Sequence, residues 1–399
     1  MNRMLISAAH KSSGKTLVSI GVCAALHAHG HVVQPFKKGP DYIDPMWLSQ
    51  AAGRPCRNLD LYLMDDDDVV ATFARHAAEV SLVEGNKGLY DGLSLDGSNS
   101  NAAVAKLLDL PVFLVIDARG MTRGIAPLIL GYQAFDKDIR IAGVILNKLG
   151  GSRHEAKLRQ VIEHYTEVPV VGAIQYDEHL GIIERHLGLM PSNELIAAAA
   201  KIKQIGDAIS GQVDLDRLLA LSRKPPPAPA EIAEIRPLPV GERPRIGIAR
   251  DRAFGFYYAD DLDALEAAGA TLVPFNTLAD AHLPEVDALY IGGGFPEACA
   301  VELEANTTLR GEIRQAIEKG MPAYAECGGL MYLARGIACE GRTYEMVGAI
   351  PGDVVMHDKP VGRGYVHLKE SEEHPWPRPA APARQIKAHE FHYSSLENL

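Results

Sequence analysis

An apolar run from Met4 to Ala9 leads directly into His10-Lys11-Ser12-Ser13-Gly14-Lys15-Thr16, and a helical pattern follows from Thr16 to Ala28. A buried strand feeding a Ser-Gly-Lys-Thr turn at a helix start aligns successive backbone N–H groups, which can cup phosphate oxygens. On this reading Ser12, Ser13, Gly14, Lys15 and Thr16 bind a nucleoside triphosphate. Lys15 reaches the outer phosphates and the Thr16 hydroxyl faces Mg²⁺. Such loops usually begin with glycine, and Ala9 holds that position here. His10 and Lys11 are either further phosphate contacts or a solvated pair.

The runs Met4–Ala9, Val32–Phe36, Ser81–Glu84, Val112–Asp117, Ile141–Asn147 and Val168–Ile174 alternate with helical stretches such as Asn101–Leu108. Most are continuously apolar, which fits parallel strands covered on both faces. The fold class is α/β, doubly wound. A chain of 399 residues is too long for one ordinary core, so two domains are expected. Between 222 and 244 lie Pro225-Pro226-Pro227, Pro229, Pro237, Pro239 and Pro244, a semi-rigid linker. A second α/β pattern starts at Arg245-Ile246-Gly247-Ile248-Ala249. The expected plan is a nucleotide-binding domain over 1–221, a linker over 222–244 and a second doubly wound domain over 245–399.

A net charge of -11 offers no basic stripe for nucleic acid. The most apolar stretch, Leu110 to Ile116, is too short to span a bilayer. Cys23, Cys56, Cys299, Cys327 and Cys339 show no metal-ligand spacing and suit a reducing cytoplasm.

Two acidic loops follow strands in the first half. Gly39-Pro40-Asp41-Tyr42-Ile43-Asp44-Pro45 comes after Val32–Phe36, and Glu84-Gly85-Asn86-Lys87-Gly88-Leu89-Tyr90-Asp91-Gly92 after Ser81–Glu84. Ligands of doubly wound sheets sit at the carboxyl ends of strands. Asp41 and Asp44 are therefore placed for Mg²⁺ or a substrate carboxylate, Glu84 is the second acid on the metal, and Asp91 lies further round. The metal set is Thr16, Asp41 and Glu84. Taken singly, each acid could equally be a turn former or a helix cap.

In the second half, Ala325-Glu326-Cys327-Gly328-Gly329 joins a short strand, Met321–Ala325, to a helix opening at Leu330. That is a nucleophile elbow: small residues let the turn tighten, and the helix N-terminus is expected to lower the thiol pKa. The Gly328 amide can face a developing oxyanion, with Gly293 and Gly294 of Gly292-Gly293-Gly294-Phe295-Pro296-Glu297 supplying a second donor. The other four cysteines read as structural.

These segments, with Asn58-Leu59-Asp60, Gly143 to Asn147, Glu184 to Leu189, Ala249 to Tyr258 and His389-Glu390-Phe391-His392-Tyr393-Ser394, resemble the cobyrinate a,c-diamide synthase family over nearly the whole chain. The resemblance implies a dethiobiotin-synthetase-like ATP domain followed by a class I glutamine amidotransferase domain. It implies activation of two acetate carboxylates of a tetrapyrrole as acyl phosphates and their amidation with ammonia from glutamine. Asp41, Tyr42, Asp44, Glu84 and Asp91 then take substrate and metal roles, with ATP and Mg²⁺ as cofactors and a homodimer left open.

The chain departs from the family pattern in two places. Lys37-Lys38, Asn86-Lys87 and Trp47 replace the usual residues and are expected to line the substrate side, which keeps a sirohaem- or sirohydrochlorin-type amidase as an alternative. The family's glutaminase histidine lies beyond the His389–Ser394 motif, and this sequence stops at Leu399. Either the 245–399 domain is C-terminally incomplete as given, or the glutaminase lacks its base and free ammonia is the donor; the sequence as written is expected to be nearly inactive with glutamine. An alternative of another class is a partitioning-type P-loop ATPase switch, in which Cys327 has no role.

Overall fold

The computed structural model describes residues 1–185, 188–193, 197–227, 243–369 and 386–399. Most of the proline-rich stretch, 228–242, lies outside the described residues, as do His186 and Leu187. The chain divides into two compact units, 1–232 and 233–399.

In the first unit the elements run β1 (Asn2–Ala8), α1 (Lys15–Ala28), β2 (Val33–Lys38), α2 (Ile43–Ala52), β3 (Arg57–Leu59), α3 (Asp66–His76), β4 (Val80–Glu84), α4 (Asn101–Leu107), β5 (Val112–Asp117), α5 (Ile125–Phe135), β6 (Ile141–Leu149), α6 (Ser152–Tyr165) and β7 (Val170–Gln175). The small pair β8 (Glu184–Arg185) and β9 (Gly188–Leu189) follows, then α7 (Ala198–Ser210) and α8 (Leu215–Ser222). One seven-stranded sheet has the order β3-β2-β4-β1-β5-β6-β7, and the pairs within it are parallel. Successive connections leave β1 toward both edges of the sheet, as a doubly wound fold requires. Strand β4, Val80-Ser81-Leu82-Val83-Glu84, is buried along its whole length, which explains why its apolar residues do not alternate with exposed polar ones. The α1 helix packs so closely on α7 that a Cβ at Gly21 would lie 2.2 Å from Ile209 Cγ1.

The second unit contains β10 (Arg245–Ala249), β11 (Phe254–Phe256), α9 (Ala259–Ala267), β12 (Thr271–Phe275), β13 (Ala288–Ile291), β14 (Gly293–Gly294), α10 (Ala300–Ala305), α11 (Thr307–Glu318), β15 (Ala323–Ala325) and α12 (Gly328–Leu333). Then come β16 (Gly336–Cys339), β17 (Arg342–Glu345), β18 (Asp353–Met356), β19 (Gly362–Leu368), β20 (Ile386–His392) and β21 (Ser394–Glu397). A parallel sheet ordered β12-β10-β13-β15 is joined by a second sheet ordered β17-β16-β18-β21 and a β19–β20 hairpin. Phe254, Leu289, Ile291, Leu303, Ile313 and Tyr332 are among the residues of its core.

Candidate active sites

In the first unit, Ser12 and Gly14 adopt left-handed backbone, φ 66° and 90°, as the chain turns from β1 into α1. The turn is braced from β6. Asn147 Nδ2 donates to the Ser13 carbonyl at 2.8 Å, and Lys148 Nζ donates to the Ser12 carbonyl at 2.8 Å. Lys148 is itself held by Asp117, 3.1 Å away at the end of β5. A Cβ on Gly14 would lie 2.1 Å from Asn147 Nδ2, so this approach needs glycine. His10 and Lys11 are exposed, and His10 Nδ1 turns to the Lys11 carbonyl at 2.7 Å.

Register places the charged groups. Glu84 pairs with Ile6 of β1 and with Lys37 of β2, so Glu84 and Lys37 are lateral neighbours on one face of the sheet. Lys37 Nζ lies 2.5 Å from Asp44, 3.2 Å from Glu84 and 3.6 Å from Asp41. Lys15 Nζ lies 3.3 Å from Glu84. The Thr16 hydroxyl is 2.5 Å from Glu84 Oε1 and 3.3 Å from Asp44 Oδ2. Glu84 is fully buried, and its Oε2 is the oxygen that faces the Lys37 ammonium.

The two aspartates differ. Asp41 Oδ1 caps α2, accepting from the Ile43 and Asp44 N–H groups at 2.9 and 3.1 Å. Asp44, not Asp41, reaches Thr16, so the hard oxygens gathered at the phosphate loop come from Thr16, Asp44 and Glu84. Burial pushes the Asp41 carboxyl up to about 6, with the Asp44 charge adding to it. Burial also works against ionisation of Asp44, but the Lys37 ammonium outweighs it and holds that carboxyl below the usual range. Burial would neutralise Lys37, and the charges of Asp44, Glu84 and Asp41 overcome it and keep the ammonium. Tyr42 flanks the start of α2. Asp91 Oδ2 accepts from the Gly88 N–H at 2.9 Å and closes its own turn beside Ala9.

Asn58 Nδ2 donates to the carbonyls of Gly39 and Asp41, at 2.8 and 2.7 Å, and fixes the first acidic loop. Sequence reasoning singled out the Asn58 segment without this role and missed the bracing by Asn147, Lys148 and Asp117. The signal for the bracing was present: polar residues ending two buried strands at the carboxyl edge of a doubly wound sheet.

In the second unit, Cys327 stands between β15 and α12 with φ 50° and ψ -115°, a conformation that few non-glycine residues adopt. The elbow fits against the β13–β14 segment. A Cβ at Gly329 would lie 2.1 Å from the Ile291 carbonyl oxygen, and one at Gly328 would lie 2.9 Å from the Gly294 nitrogen. Cys327 is exposed. Backbone N–H groups of Gly328 and Gly294 both point at its sulfur. Gly293 lies against it too, since a Cβ there would sit 3.4 Å from Cys327 Cβ.

The expected lowering of the thiol pKa is not found. Desolvation and the nearby carboxylates of Glu297 and Glu326 push the thiol up, against the two backbone donors. The physical reason is that lost hydration, the largest effect, acts with these two like charges and outweighs the two backbone donors. Of the other cysteines, Cys23, Cys56 and Cys299 are buried and Cys339 is partly so. The His389 ring stacks edge-on against Tyr365 across the β19–β20 hairpin, and His392 Nδ1 meets the Ser394 carbonyl at 2.8 Å.

Residues 2–183 match the model of an AAA domain, and residues 245–398 match a CobB/CobQ-like glutamine amidotransferase domain. The whole chain is 47% identical to the cobyrinate a,c-diamide synthase of Magnetococcus marinus, covering 86% of that protein. It is 43% identical to the Methanosarcina acetivorans protein of the same name and 40% identical to that of Listeria innocua, again over all of this chain and over 85% and 88% of theirs.

The chain belongs to the cobyrinate a,c-diamide synthase family. It is a P-loop nucleotide-binding unit followed by a glutamine amidotransferase unit. Among the departures from the family pattern, the structure corrects two. Trp47 does not line a substrate face: it is fully buried, and its indole N–H donates to the Met190 carbonyl at 2.9 Å. Lys38 points to the opposite face of β2 from Lys37 and is buried against Asn99. Lys37 is the exception, because it lies within the carboxylate cluster itself.

Proposed function

We propose that the chain amidates the a and c acetate carboxylates of cobyrinate, with ATP as activator and glutamine as nitrogen donor. A carboxylate is a poor acyl donor because its carbonyl carbon is shielded by resonance and charge. Transfer of the γ-phosphoryl group to a carboxylate oxygen releases ADP and leaves an acyl phosphate. Ammonia then attacks the acyl carbon and inorganic phosphate departs.

Lys15 and the backbone amides of the Ser12–Thr16 turn hold the phosphates in line. Thr16, Asp44 and Glu84 supply hard oxygens suited to magnesium, gathered round the Thr16 hydroxyl. Magnesium bound there would neutralise phosphate charge. Lys37, ionised and fixed, adds a second positive charge beside the transferring group.

In the second unit the Cys327 thiolate attacks the glutamine amide carbon. The N–H groups of Gly294 and Gly328 receive the oxyanion, and the proton given up by the thiol passes through water to the amide nitrogen. The C–N bond breaks to release ammonia, and a second water hydrolyses the thioester to glutamate and the free thiol. The observation that carries this reading is the left-handed Cys327 elbow, facing two glycine amides, in the same chain as a phosphate loop. A partitioning switch has no use for such a cysteine, and the names of the relatives favour the corrin ring over the sirohaem type.

The test supplies cobyrinic acid, ATP and Mg²⁺ with either glutamine or ammonia, beside sirohydrochlorin as competitor. Mass spectrometry should show two amide nitrogens added to cobyrinic acid. No amidation with ammonia, or faster amidation of sirohydrochlorin, would overturn the proposal.

A further inference from the structure

Residues Gly92 to Asn99 form a loop between β4 and α4, at the same carboxyl edge of the sheet as Glu84. Its root is fastened more firmly than a surface loop requires. Lys38, fully buried, donates to both the carbonyl and Oδ1 of Asn99 at 2.7 Å. Asn101, also fully buried, donates from Nδ2 to the carbonyls of Asn86 and Gly88, at 2.5 and 3.0 Å. The two ends of the loop lie close together, with Gly92 packed beside Gly97 and Ser100.

Beyond this fixed neck, Leu93 is 57% exposed and Leu95 107% exposed. A single exposed leucine is ordinary, but two on one short loop anchored by a buried cation are not explained by the unit's own packing. Beside the root stands Lys87, exposed and in left-handed backbone with φ 41°. An apolar tip next to a cation matches a flat macrocycle that has apolar faces and carboxylates round its rim. Two leucines fall far short of the roughly 800 Å² per partner that a stable protein interface buries, so a second copy is the poorer occupant.

We propose that Leu93 and Leu95 form an apolar lip that receives the ring face of the tetrapyrrole, with Lys87 answering a rim carboxylate. The lip rests on the amidase reading above. Its work is to hold the macrocycle so that an acetate side chain points toward the Lys15–Lys37–Glu84 cluster. Lys38 is a positioning residue for the lip through Asn99.

The test uses the full chain, with L93S/L95S and, as the conservative control, L93M/L95M. Cobyrinic acid binding is titrated by its absorbance, and KM for cobyrinic acid and for ATP is measured with ammonia as donor. In L93S/L95S the macrocycle Kd and KM should rise about tenfold with the ATP KM changed less than about twofold, and L93M/L95M should restore most of the loss. Wild-type macrocycle affinity in L93S/L95S would overturn the lip, as would an equal rise in both KM values. A changed oligomeric state at unchanged macrocycle affinity would also overturn it and make the tip a contact between copies. Absence of binding by the wild type itself would instead overturn the amidase reading and the lip with it.

Discussion

The Thr16 hydroxyl lies 2.5 Å from Glu84 Oε1, linking the first turn of α1 to the last residue of β4. Lys15 reaches the same oxygen at 3.3 Å. One buried carboxylate is therefore shared by both side chains of the Lys-Thr pair.

Removing either side of this arrangement should stop carboxylate activation. Lys15→Ala and Glu84→Gln are each expected to lower ATP-dependent amidation at least about a hundredfold, with glutamine or ammonia. Product formed from ammonia at saturating ATP and Mg²⁺ is the measurement. Near-wild-type turnover in either variant would remove the cluster from the reaction.

The Asn147 side chain braces Ser13 and passes within 2.1 Å of where a Gly14 Cβ would be. Asn147→Ala frees a turn that holds two left-handed residues. ATP affinity should fall about tenfold while glutaminase activity stays unchanged. Equal ATP affinity by calorimetric titration would show that the turn holds its shape unaided.

Cys327→Ser should lose glutamine-dependent amidation and keep ammonia-dependent amidation, because in the proposed reaction the thiol acts only on glutamine. The two rates measured side by side decide it. Loss of the ammonia rate in a folded variant would contradict separate sites.

Gly329→Ala puts a methyl group 2.1 Å from the Ile291 carbonyl oxygen, which is backbone and has little room to give way. The elbow must open, at a cost of about 2 kcal/mol or more. Glutamine use should fall with ammonia use retained. A variant as active with glutamine as the wild type would show that the backbone around Cys327 yields to the methyl group.

Lys38 yields a pH dependence. Burial lowers its pKa to about 8 from an ordinary 10.5. Between those values the unfolded chain holds a proton that the folded chain has lost, so stability rises with pH across that window. Below it the lysine is charged in both states and the burial penalty is undiminished. Wild type should therefore gain about 1–2 kcal/mol on Lys38→Met between pH 8 and 9.5, at about 1.4 kcal/mol per unit. Urea unfolding of both proteins at the two pH values measures it, and a flat difference would show that Asn99 holds the charged amine in place.

Much of this protein was written locally. The Ser12–Thr16 turn, the buried runs that became β1, β4 and β5, and the small residues around Cys327 declare themselves because strands, phosphate turns and elbows need particular residues at adjacent positions. The family motifs likewise lie in short continuous segments. Trp47 shows the limit: a large residue after an acidic loop reads as a substrate contact, yet Met190, far along the chain, supplies its partner inside the core.

The sequence alone determined the two α/β units and the phosphate loop and singled out Cys327 as the proposed nucleophile, since each rests on neighbours in the chain. Only the tertiary structure decided that Asp44 rather than Asp41 meets Thr16, that Lys37 joins the carboxylates while Lys38 turns away, and that the Cys327 thiol is raised rather than lowered. Those outcomes depend on strand register, on which oxygen a cap consumes and on charges brought in from Glu297. They are set by distances between residues far apart in sequence, and electrostatic energy follows those distances rather than the order of the chain.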